Sequence, residues 1–251
     1  MALFRRLSVL LTTLLLASTG GHAADQPLSL DALIAKVRAA AATDAAALTK
    51  VRSLRLEFTS FDEKGKSLGR MTLTLATPGY RHQLAVVDEP SATTVICAGR
   101  LEGWTKRQTS PASPREIRPA TFEEFRKLQD MARDDLAFFA APAAGQGAAE
   151  YKGLSEVDGR ATHAVRYAYT SGFSITRHFD AKTFALVASD QIGPDREVIR
   201  QKVEGFIEVE GLRFVAKESV TIGGRKSGEV TYGTIQVNPA LTPGLFDFPS
   251  Y

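Results

Sequence analysis

One cysteine, one tryptophan and four histidines are spread over 251 residues. A lone cysteine closes no internal disulfide, and Thr94-Val95-Ile96-Cys97-Ala98 reads as a buried strand segment with no basic neighbour to activate the thiol. His82, His163 and His178 lie far apart with neither helical nor paired-ligand spacing, so no metal site is expected and they read as exposed strand residues. A nucleophile elbow and a phosphate-cradling glycine loop are both missing. The adjacent carboxylates of Glu123-Glu124 and Asp134-Asp135 diverge on a helix and read as solvated faces. These absences argue against an enzyme, and no catalytic residue or cofactor is expected. Trp104 reads as a core or rim aromatic.

Long hydrophobic runs are also scarce. The longest, Val9 to Ala17, follows Arg5 and Arg6 and precedes the small residues of Gly21-His22-Ala23. It is shorter than the ~20 residues that span a bilayer, and reads as the core of a secretory signal cleaved after Ala23. No cysteine follows it to carry a lipid. Residues 1–23 are thus an expected signal peptide and 24–251 a single domain of a soluble, exported, monomeric protein. Charge is nearly balanced, with 31 basic and 28 acidic residues; removing Arg5 and Arg6 lowers the net value from +3 to +1, which points to no nucleic-acid partner.

What the chain does have is alternation. Leu54, Leu56 and Phe58, then Met71, Leu73 and Leu75, flank the turn Glu63-Lys64-Gly65-Lys66, giving a hairpin with one dry face. Strand patterns follow at Tyr80–Val87, Thr93–Ala98 and Leu101–Arg107, and from Ala148 onward about six more are separated by turns such as Asp158-Gly159, Ser171-Gly172, Asp180–Thr183, Glu210-Gly211 and Gly223-Gly224. Val165, Tyr167 and Tyr169 share one face, as do Phe173, Ile175 and Phe179, with Arg177 interrupting.

Two helical patterns accompany the strands. Leu28 to about Lys50 is one helix with a candidate break near Thr43-Asp44. Thr121 with Glu124 forms a capping box ahead of the apolar stripe Phe122, Phe125, Leu128 and Met131, and this helix ends before Pro142. It can be plain core packing or a movable cover hinged at Phe138-Phe139 and Ala140–Ala149. About eleven antiparallel strands must twist and curl. The expected fold is mainly β with α: an unclosed antiparallel half-barrel whose helices cover an apolar concave face. Leu56, Phe58, Leu73, Leu75, Val165 and Tyr167 are the candidate lining residues of its cavity.

Val157-Asp158-Gly159-Arg160, His178-Phe179-Asp180-Ala181-Lys182-Thr183, Val209-Glu210-Gly211-Leu212-Arg213-Phe214 and Val237-Asn238-Pro239 through Leu245-Phe246-Asp247-Phe248-Pro249 resemble, in order and spacing, the outer-membrane lipoprotein carrier (LolA-like) superfamily. The resemblance implies an unclosed barrel over a cavity for lipoprotein acyl chains or other lipids, working in the periplasm of a Gram-negative bacterium between inner- and outer-membrane transfer proteins. Two positions depart from that family: Thr77 stands where a basic residue precedes Pro78, and Val215 replaces a proline. The function expected is a carrier that shuttles acyl chains toward the outer membrane; the alternative is an envelope sensor or regulatory interaction module of the same fold.

Overall fold

A computed structural model describes residues 28–88 and 91–249; the expected signal peptide and the start of the mature chain at Ala24 lie outside them. Three helices, α1 (Leu30–Ala40), α2 (Ala45–Lys50) and α3 (Phe122–Leu136), accompany strands β1 (Ser53–Asp62), β2 (Ser67–Ala76), β3 (Tyr80–Val87), β4 (Ala92–Ala98), β5 (Gly103–Gln108) and β6 (Glu116–Pro119) in the first half. The second half is all strand: β7 (Gly147–Val157), β8 (Arg160–Tyr169), β9 (Ser174–Asp180), β10 (Leu186–Ile192), β11 (Val198–Val209), β12 (Leu212–Ile222) and β13 (Arg225–Val237). All thirteen form one antiparallel sheet in the order β6-β5-β4-β3-β2-β1-β13-β12-β11-β10-β9-β8-β7. The sheet is open, with β6 and β7 at its edges.

The expected architecture stands, with two strands more than the eleven counted from sequence. One is β6, four residues with two charges and a terminal proline, too short to show alternation. The other follows from Gly193–Glu197, a turn closed by Gly193 N donating to Glu197 O at 2.9 Å, which separates β10 from β11. The turns elsewhere behave as their residues require. Asp158 and Gly159, and Glu210 and Gly211, all have positive φ, the backbone of a two-residue hairpin that matches strand twist.

The first helical pattern is broken where Thr43-Asp44 suggested. Ser29 caps α1 and Asp44 caps α2 through its side chain on Ala46 N at 2.8 Å. Between them the chain docks on the β11–β12 turn: Thr43 N donates to Gly211 O and Arg213 N to Ala41 O, both at 2.8 Å. Leu33 and Val37 of α1 pack on Val165, Tyr167, Phe173, Ile175 and Phe179, while Leu48 of α2 joins Leu54, Leu73, Leu75, Ala132, Phe138 and Leu212. These two clusters fill much of the concave side.

Across it lies α3, with both halves of its capping box formed between Thr121 and Glu124. On one arm of the sheet Phe125 packs over Gly103 and Gln129 donates to Gly99 O at 3.3 Å. On the other arm Asp134 receives the Tyr169 hydroxyl at 3.0 Å and the Arg177 guanidinium. Six strands separate β3 from β9 in the sheet, so a single helix reaches both arms only because the sheet curls.

The C-terminal segment is a clamp. Asn238 accepts from Arg52 N at 2.7 Å and Ser53 N at 3.2 Å and donates to Lys50 O at 3.1 Å, fixing the entry to β1. Beyond it, the tail turns back across β4 and β5, where Trp104 donates to Asp247 O at 3.1 Å and Tyr80 meets Phe246. A Cβ on Gly99 would come within 2.2 Å of Phe246 O, so glycine is needed for this approach. The terminal motif is therefore structural, and Trp104 is a core aromatic as expected.

Candidate functional site

The helices leave a hollow of about 450 Å³ on the concave face, within the usual ~300–1,000 Å³ of ligand pockets. Its apolar wall comes from β1 and β2 (Leu54, Leu56, Phe58, Met71, Leu73), from β12 and β13 (Phe214, Val215, Val230, Ile235) and from the helical cover (Val37, Met131, Phe138, Phe139). Each strand contributes because alternation turns its apolar phase inward.

Of the six residues expected to line a cavity, Leu56, Phe58 and Leu73 do. Leu75, Val165 and Tyr167 sit on the same concave side but are completely buried where α1 and α2 cover the sheet, and are core residues. Tyr167 spends its hydroxyl on Phe139 O at 3.0 Å. Of the cover-helix stripe, Met131 lines the hollow, Phe125 packs on β5 and Leu128 is half-buried. Phe122 is a correction: it is 72 % exposed and lies under the Arg126 guanidinium instead of facing the sheet. Its place in the first turn puts it ahead of the point where α3 meets the strands.

Of the Asp134-Asp135 pair, Asp135 is exposed and Asp134 is not. Asp134, expected on a solvated face, is 3 % exposed and forms a bidentate pair with Arg177, whose guanidinium lies 5.0 Å from the Tyr167 ring centre and 5.3 Å from that of Phe139. Burial pulls the Arg177 guanidinium toward neutrality, but the Asp134 carboxylate more than offsets it and holds it above its ordinary range. Arg177 thus interrupts its apolar strand face in order to bind α3. Desolvation against this charged pair also pushes the Tyr169 hydroxyl well above its usual range.

Asp135 looks into the hollow and pairs with Arg81 at 3.3 Å. Although 41 % of its side chain is open to the cavity, protein surrounds it, and desolvation raises its carboxyl to about 6 against the opposing charge of Arg81. Further ties hold α3 in place. Arg133 donates to Pro78 O at 2.9 Å, so the β2–β3 turn that lacks a basic residue at Thr77 receives one from the helix. At the other end Arg38 donates to Phe138 O at 3.0 Å, placing a cation by the helix C-terminus.

Polar groups also line the wall: Gln83, Ser189, Gln191, Gln201, Glu218 and Tyr232, with the cations Arg81 and Arg213. Glu218 is buried, accepts from Gln201 Nε2 at 2.9 Å, and has its carboxyl raised to about 7 by desolvation. Sequence reasoning passed over these residues.

The three histidines are not exposed, contrary to their reading as exposed strand residues. His82 and His163 are half-buried beside aromatic rings, and His178 is buried between Ser155 Oγ at 3.1 Å from Nδ1 and Asp190 Oδ2 at 3.0 Å from Nε2. Ser155, His178 and Asp190 have the residue types of a hydrolytic triad. They lie on the sheet face opposite Arg177 and Ser189, however, and none lines the hollow. Ser155 is shared with Thr162 at 2.8 Å and Asp190 with Arg200 at 2.7 Å, so the row laces β7 to β11 together. Among the described residues no cluster of metal-binding side chains occurs and no helix is long and apolar enough to cross a membrane. Cys97 is buried and its thiol is pushed up to about 12 by desolvation.

No family model and no curated protein sequence matches this chain. Its architecture does match solved structures. A LolA superfamily protein from Nitrosomonas europaea superposes with a TM-score of 0.55 at 8% identity, covering 87% of this chain and 97% of the other. A DUF1329 family protein from Desulfovibrio piger gives 0.53 at 12%, covering 86% and 96%. A domain from Vibrio parahaemolyticus described as an outer membrane lipoprotein-sorting protein gives 0.52 at 11%, covering 85% and 95%. The chain has the LolA-like fold.

Proposed function

We propose that this protein is a periplasmic carrier that shields the apolar chain of a lipid or lipoprotein in the hollow beneath α3. The observation that carries this reading is the unfilled apolar wall of Leu56, Phe58, Met71, Phe214 and Ile235 in a sheet whose neighbouring concave surface is tightly packed. Exposed to water, such a wall is costly at ~25 cal/mol per Å², and an alkyl chain removes that cost without requiring specific hydrogen bonds. Solved structures of the same fold include one described as an outer membrane lipoprotein-sorting domain, which supports the cargo class. The leader pattern at residues 1–23 supports export, and the inner- and outer-membrane partners expected of a shuttle follow from the same reading.

In this account the protein transforms nothing. α3 acts as a strap: its buried pair with Arg177 holds one arm, and its contacts with Arg81 and the Pro78 turn hold the other. Loading requires the strap to lift or the cavity mouth to widen. Native mass spectrometry of protein released gently from its own envelope tests the proposal. The expected spectrum shows one copy of the chain, starting at Ala24, with a bound lipid or acylated peptide. A bare chain that also fails to take up added alkyl compounds would remove the carrier reading and favour a sensor or interaction module.

A further inference from the structure

The cavity wall contains a carboxylate for which an alkyl chain has no use. Glu218 on β12 is 6 % exposed and borders the hollow. Its hydrogen-bond partners are the amide of Gln201 at 2.9 Å and, more weakly, the hydroxyl of Tyr232 at 3.5 Å. Both are neutral, although buried carboxylates are ordinarily paired with a cation.

None of the guanidiniums around the cavity hydrogen-bonds Glu218, although Arg81, whose Nε has no partner, and Arg213 both border the hollow. Arg177 is bound to Asp134, and Arg81 to Asp135 and Gln83. Arg213 stacks on Phe206 and lies five residues from Glu218, roughly 16 Å along the strand at ~3.3 Å per residue. A second carboxylate, Asp135, borders the same hollow and is paired with Arg81. Phe58, in register with Tyr232 and 5.1 Å away between ring centres, joins this polar end to the apolar wall.

We propose that Glu218 is a headgroup site and that the cavity takes an amphiphile bearing a protonated amine, its alkyl chain on Phe58, Leu73 and Phe214 and its ammonium between Glu218 and the Tyr232 ring. This rests on the carrier reading and narrows its ligand class. The ammonium supplies the cation that Glu218 lacks, and the faces of Tyr232 and Phe58 add cation–π attraction. Beside Tyr232 an anionic headgroup would meet the Glu218 carboxylate, and a neutral one would leave Glu218 without a counter-charge. Desolvation raises the Glu218 carboxyl to about 7, so an ammonium is best discriminated in mildly alkaline solution, where that carboxyl is ionised.

The test uses the full mature chain at about pH 8 with three probes of identical chain length: decylamine, decanol and decanoate. Decylamine should bind about tenfold or more tighter than decanol, the gain of one charge-assisted hydrogen bond, with decanoate weakest. Glu218→Gln should bring the affinity ratio of decylamine to decanol down to about one. Lysophosphatidylethanolamine against lysophosphatidylglycerol then separates a phospholipid headgroup from a free long-chain amine: a preference for the first assigns the site to the headgroup, and binding of decylamine alone assigns it to the simple amine. Equal affinity for decylamine and decanol, or a preference that survives Glu218→Gln, overturns the amine site and leaves the carrier reading standing. Failure of all probes to bind overturns both.

Discussion

The Arg177 guanidinium reaches from β9 to the Asp134 carboxylate on α3, with Nη1 3.0 Å from Oδ1, and so fastens a helix that begins on the opposite arm of the sheet. Neither group has water as an alternative partner, because Asp134 and Arg177 are 3 % and 6 % exposed. The pair therefore acts as the main polar closure of the half-barrel.

Removing one member leaves the other buried and uncompensated. Asp134→Ala is expected to cost ~3–5 kcal/mol in urea unfolding, and Arg177→Met a similar amount. The double variant Asp134→Leu with Arg177→Met should cost much less than the two single changes together, because no charge is then stranded. Additive losses would show that the two residues act separately.

Cavity-wall and core residues should part company in stability measurements. Leu75→Ala, in the fully buried core, is expected to lose ~2–5 kcal/mol. Phe58→Ala, beside space that is already open, should lose under ~2 kcal/mol yet weaken alkyl binding. Comparable losses for both would mean that the hollow closes in solution.

Glu218 makes stability depend on pH in a direction opposite to that of an ordinary paired carboxylate. Its folded value, about 7, lies above the ordinary 4.5, so the folded chain holds the proton more tightly than the unfolded chain. Stability is then greatest below pH 4.5 as far as this group is concerned, and falls as pH rises toward 7. The loss amounts to roughly 3 kcal/mol at ~1.4 kcal/mol per unit. Asp135, raised to about 6, adds to the same trend. Glu218→Gln should flatten the slope between pH 5 and 7 in chemical denaturation; an unchanged slope would assign the whole effect to other groups.

If α3 is a strap that must move for loading, bound amphiphile should slow amide exchange across Phe122–Leu136 more than across β8 or β9. Equal protection everywhere, with and without amphiphile, would make α3 an ordinary core helix.

The curled sheet, its cover helix and the inward phase of β1 and β2 were legible in sequence because alternation, turn dipeptides and a capping box are local signals. The break between α1 and α2 was legible in Asp44 for the same reason. What divides core from cavity is not local. Leu73 and Leu75 share a strand phase, and only the docking of α2 and Phe138 fills the space over one more completely than over the other. The polar wall was hidden differently. Register shifts near Val203, Gly205 and Phe206 interrupt the pairing of β11 with β12, so simple parity does not show which polar residues face inward. Asp134 looked like a solvated helix residue because its partner, Arg177, is 43 positions away.

The hollow bounded by Leu56, Phe58 and Leu73 should hold an alkyl chain. Titration of a fluorescent long-chain alcohol into the mature chain tests it most directly, with Leu56→Trp as a variant that fills the cavity from a half-buried position. Saturable binding of one probe per chain is expected in the parent protein, with loss of that binding in Leu56→Trp while its unfolding midpoint stays close to the parent's. Absence of saturable binding in the parent, or undiminished binding in a correctly folded Leu56→Trp, would contradict it.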